Sequence, residues 1–209
     1  YESGLKHWVS IRQTGQYPSN ESAGEEPIIF HQPPNCVLEW STSIESGICM
    51  ANVCEDWVPE SFWRKAYNLS SGEGYRLTAW EQTDMLMEPF GITLKDLFDA
   101  NMIAQYNFHG HYFSDGKDLD DILHFRCIPA DEYWGGVVDE MRRMAANPMI
   151  RAMFPTAEQM KEHNIEIGHK EGGTYWALEN NKEDWIKAFF GSLEEKQNAK
   201  PFELYHPAE

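Results

Sequence analysis

Apolar residues in this chain form short runs and alternations early on, and helical spacings dominate later. Cys36-Val37-Leu38-Glu39-Trp40 and Ile48-Cys49-Met50-Ala51-Asn52-Val53 are short apolar runs separated by Ser46-Gly47, which predicts two strands. Trp8-Val9 with Ile11 predicts a further strand in an otherwise core-poor opening segment. Tyr75 to Trp80 alternates, with Tyr75, Leu77 and Ala79 on one face, and reads as another. Strands are also expected at Tyr106–Phe113 and Thr174–Leu178, from aromatic and β-prone composition.

Helices are predicted near 59–68, 93–105, 130–146, 156–163 and 182–190. Pro59 and Glu60 suit a first turn, and Arg64-Lys65 suit a last one. Thr93 with Asp96, and Thr156 with Gln159, have the spacing of capping boxes. Leu94, Leu97, Phe98 and Met102 recur at helical intervals, as do Val137, Met141 and Met144. Pro148 opens a second short helix, and the methionines Met141, Met144, Met149 and Met153 read as core packing. Gly191 stops a helix that turns Trp185, Ile186, Phe189 and Phe190 inward.

Strands leading and helices following point to an α+β fold rather than alternating α/β. The expectation is a single domain of short antiparallel strands, mostly in the N-terminal half, with helices packed against them and helix exceeding strand. Residues 1–35 read as an extended arm, 36–193 as the globular α+β domain, and 194–209 as a polar tail.

Composition narrows the function classes. Seventeen basic against 34 acidic residues give a formal charge of −17 over 209 residues, a field that repels phosphate backbones and anionic lipid. Nucleic-acid and membrane partners are therefore not expected; a small-molecule substrate, a protein partner (a cationic one above all) or an oligomer fits better. No run approaches the 18 apolar residues of a membrane helix, and no signal peptide is read. Because the chain opens on Tyr1 rather than Met, removal of an earlier segment is expected. The four cysteines, Cys36, Cys49, Cys54 and Cys127, are too sparse for a disulfide scaffold; at least two are expected to be free and buried, and a bridge from Cys36 or Cys49 to Cys127 stays open.

The segment Tyr106-Asn107-Phe108-His109-Gly110-His111-Tyr112-Phe113 carries the candidate chemistry. Two histidines at i and i+2 of a strand share a face, so their rings can converge on one ion. A turn at Asp115-Gly116 is expected to return residues 118–124 toward that strand, with Asp115 or His124 as third ligand. A divalent Zn or Fe would then activate water or oxygen, with Tyr106 or Tyr112 orienting a small apolar or aromatic substrate. Against this stands the plain alternative of structural histidines in an aromatic strand. The competing function is a non-catalytic subunit or binding domain of a larger assembly, for which the many Trp and Tyr residues would be anchors. No phosphate loop, Gly-x-Ser-x-Gly elbow or His-Glu-x-x-His motif occurs.

Overall fold

The computed structural model describes residues 7–13, 15–17, 30–106 and 112–199. Among them are five strands and ten α-helices. The fold is mixed α+β, helix exceeds strand, and the strands lie in the N-terminal half, as the sequence predicts. The chain divides into two compact units, the first made of residues 1–20, 38–77 and 111–134, the second of 21–37, 78–110 and 135–209.

The first unit is built on β1 (Val9–Gln13), β2 (Gly15–Tyr17), β3 (Val37–Thr42), β4 (Lys65–Leu69) and β5 (Arg76–Thr78). β1 pairs with β4, and β2 with β3 in a sheet of order β2-β3-β5. Both followed registers are parallel, Val9 opposite Lys65 and Gly15 opposite Trp40, where antiparallel pairing was expected. The reason is connectivity: each pair joins segments far apart in sequence, so no tight hairpin sets its direction. Helix α1 (Ser43–Asn52) follows β3 directly, and α4 (Gly116–Leu123) packs on β4. Cys49, Phe62, Leu69, Leu119, Leu123 and Phe125 form the core here.

Several predicted elements change type. Ile48–Asn52 is helical, because Thr42 caps α1 by accepting from Glu45 N. The predicted helix 59–68 is a 3-10 turn, Glu60–Phe62, followed by β4; Arg64, at φ 63, turns the chain between them. Phe62 reaches the core from the 3-10 turn and Leu69 from β4, and Arg64 N donates to Trp8 O at the start of the β1–β4 ladder.

The second unit is helical: α2 (Ala79–Met87), α3 (Leu94–Leu97), α6 (Pro148–Met153), α7 (Ala157–Gly168), α8 (Thr174–Glu179), α9 (Glu183–Phe190) and α10 (Leu193–Gln197). α5 (Ala130–Ala146) has the predicted bounds. α3 stops at Leu97 because Phe98 turns extended, yet Leu94, Leu97, Phe98 and Met102 are all buried as their spacing demanded. Phe30, Trp80, Phe90, Ile92 and Ile167 complete this core. Met141 and Met144 pack against it, but Met149 and Met153 are 73% and 80% exposed, so half of the methionine expectation fails. Thr174–Leu178, predicted as a strand, is helix α8. Gly173 precedes it with no room for a side chain: a Cβ there would sit 2.2 Å from Gly168 O.

Candidate functional site

The predicted site residues fall partly in each unit and partly outside the described residues. His109 and His111 lie outside the described residues. Tyr106 belongs to the second unit, where its N–H donates to Phe189 O, and its side chain is exposed. Tyr112, Asp115 and His124 belong to the first. Tyr112 is exposed, with the Arg76 guanidinium 4.5 Å over its ring. Asp115 accepts from Asn68 Nδ2 through both carboxylate oxygens, at 2.8 and 3.1 Å.

The expected turn at Asp115-Gly116 is the start of helix α4, with Asp115 at its N-cap position and His124 at its C-cap. Eight helical residues put these two alternative third ligands about 13 Å apart along the axis. His124 takes a left-handed conformation, φ 50 and ψ 50, and its ring stacks on Trp57 at 5.9 Å. Among the described residues no group of three His, Cys, Asp or Glu side chains is placed to hold a metal ion.

The most concentrated polar chemistry is one that sequence reading missed. Glu39 and Glu45 are 1% and 0% exposed inside the first unit. A buried carboxylate is costly unless every lone pair finds a donor. Glu39 accepts from Ser70 Oγ, from Arg76 Nε at 2.9 Å and from Phe113 N at 3.1 Å. Glu45 accepts from Cys127 N, Ile128 N and Thr42 Oγ1. Arg126 extends the network: Nε donates to Ser70 O, and Nη2 to both Ser70 Oγ and Gly116 O. Gly72 is needed here for its backbone, at φ 101, and the Arg126 guanidinium lies in van der Waals reach beside it.

Each of the four carboxylate oxygens accepts at least one hydrogen bond, so the network ties the surrounding loops together. The available signal was a charged residue inside the apolar run Val37-Leu38-Glu39-Trp40.

The surface offers a different feature. α1 buries Glu45, Ser46 and Cys49 and exposes Ser43, Ile44, Gly47, Met50 and Ala51. It alone, among the described helices, has no charged residue on its exposed face. Ile44 is 57% and Met50 47% exposed, and Trp57, just beyond the helix, is 49% exposed. Gly47 has nothing within 4 Å of an added Cβ.

No disulfide joins the four cysteines; only Cys49 is fully buried, Cys36 is half-buried, and Cys54 and Cys127 are exposed. Burial, with Asp120 nearby, pushes the Cys49 thiol up to about 12. No helix among the described residues is long and apolar enough to cross a membrane. No protein-family model matches the chain, and comparisons with curated proteins and with solved structures give no match either.

Proposed function

We propose that the chain is a non-catalytic binding domain that docks a cationic amphipathic segment of a protein partner on α1. The observation that carries this reading is the uncharged outer face of that helix in a chain where 24% of residues are charged. An uncharged helix face that exposes Ile44 and Met50 is of the kind a partner covers. Exposed Trp57 and Met50 are of the residue types that anchor interfaces. The rim chooses the partner's charge: exposed Glu55 and Asp56 follow the C-terminal, partially negative end of α1, and the whole chain carries −17. That same charge disfavours a second copy as the occupant.

The test uses two synthetic helical peptides with one apolar face in common, flanked by Lys in one and Glu in the other, titrated calorimetrically. The Lys peptide is expected to bind at low salt, the Glu peptide not, and I44K/M50K should weaken binding at least tenfold. Equal binding of both peptides, or indifference to the double substitution, overturns the reading.

A second reading, a metal-dependent enzyme, is favoured by Asp115, an exposed carboxylate four residues after His111 and oriented by Asn68. In that reading His109, His111 and Asp115 bind Zn or Fe(II) as a two-histidine, one-carboxylate set. Elemental analysis of purified wild type beside H109A/H111A decides it. Stoichiometric metal lost in the variant supports it, and metal-free wild type after growth in supplemented medium ends it.

A further inference from the structure

Lysine is almost never fully buried unless paired. Lys196 is 2% exposed, and it is the single buried residue of α10. Among the described residues no carboxylate pairs with it. Its ammonium donates to Asn101 O at 2.8 Å and lies 4.1 Å from the centroid of the Phe190 ring and 5.4 Å from that of Tyr175. A carbonyl and two aromatic faces around a desolvated cation are the chemistry of an ammonium receptor.

The walls of this cage are fixed independently of Lys196. Phe190 is 2% exposed at the end of α9. Tyr175 stacks with His169 at 5.0 Å, and its ring closes on Gly168, where a Cβ would come within 2.9 Å. The neighbouring Thr174 hydroxyl donates to Met102 O at 2.8 Å. Asn101, whose carbonyl forms the third wall, also carries a buried Oδ1 with no hydrogen-bond partner, so acceptor capacity is left over at this residue. The plug, by contrast, sits on a five-residue helix whose other residues are all outside the core. Helices this short have little stability of their own.

We propose that the cage of Phe190, Tyr175 and the Asn101 carbonyl is a binding site for a primary alkylammonium group. Lys196 occupies it in cis, as a plug that a lysine side chain of a partner polypeptide displaces. This site lies in the second unit and does not depend on the docking role given to α1.

The test is ligand-observed NMR on the full chain, with n-butylammonium as the probe and n-butanol as its neutral isostere. In K196A, with the cage emptied, butylammonium methylene signals should shift upfield through the ring currents and report at least tenfold tighter binding than to wild type; butanol should stay weak. K196M, which refills the cage with an uncharged chain of similar length, should bind neither. Equal binding of butanol and butylammonium to K196A would reduce the cage to a greasy hole and overturn the proposal, as would a folded K196A that binds neither. Should K196A fail to fold, the Lys196 ε-methylene in wild type takes over as reporter. Strong upfield displacement that collapses on adding excess butylammonium supports the plug, and a resonance unmoved by the amine refutes it.

Discussion

The carboxylate of Glu45 receives the main-chain N–H of Cys127 at 2.7 Å, from 82 residues further along the chain. The adjacent Ile128 N–H joins it at 2.9 Å. One side chain at the start of α1 therefore fixes the segment that leads from α4 into α5. Glu45→Ala should cost about 2–3 kcal/mol, since it strands two part-buried donors, and Glu45→Gln less, since one oxygen acceptor survives. Urea melts of the two variants check the order; equal loss would show that the charge rather than the acceptor matters.

Two glycines should respond in opposite directions to alanine. At Gly173 the new methyl meets Gly168 O, and overpacking against backbone costs about 1–3 kcal/mol. At Gly47, mid-helix and open to solvent, alanine should stabilise by up to about 1 kcal/mol through helix propensity. Thermal melts measured side by side settle both, and a destabilised G47A would mean that α1 is already covered in solution.

Stability should rise with pH on the alkaline side because of Lys196. Burial lowers its ammonium from 10.5 to about 8. Between those values the unfolded chain still holds the proton that the folded chain has released, so the unfolded state binds more protons and raising the pH favours folding. The gain by pH 9.5 relative to pH 7 is on the order of 2 kcal/mol. K196M lacks the titrating group and should not share this rise. A difference from wild type that is flat with pH would contradict the burial of the amine.

Thiol labelling should be sequential. Cys54, at the surface after α1, reacts first with an aromatic disulfide reagent in native protein. Cys127 follows more slowly, its thiol held up by partial burial and by Glu45 and Asp120. Cys49 reacts only on unfolding. Mass spectrometry of digests taken through the time course gives the order, and early loss of Cys49 would disprove the packing of α1.

Legibility in the sequence tracked how local each signal was. α5 and the Thr156 capping box were readable because helical spacing and caps act within a few residues. Thr78 and Glu81 form the same box at the head of α2, and Thr42 and Glu45 have its spacing at the head of α1. Both were hidden beneath short β-like runs, where alternation over five residues does not separate strand from helix. Lys65–Leu69 became a strand for a reason no window around it contains, namely the partner at Val9–Gln13. At the candidate site, the His-x-His spacing is visible in sequence, while the burial of Glu39, Glu45 and Lys196 follows from distant donors and rings. The segment containing Lys196 even reads as a polar tail with little to bury.

The parallel pairing of β1 with β4 has a consequence for biosynthesis. Val9 waits 56 positions for Lys65, and at about 5–20 residues per second that delay is roughly 3–11 s on the ribosome. Through it, Trp8, Val9 and Ile11 have no ladder to join, whereas each helix of the second unit can start on contacts made within its own turn. The nascent first unit therefore presents an unpaired, half-apolar strand to whatever stands at the exit tunnel, and its yield in cells should depend on chaperone supply more steeply than its equilibrium stability would suggest.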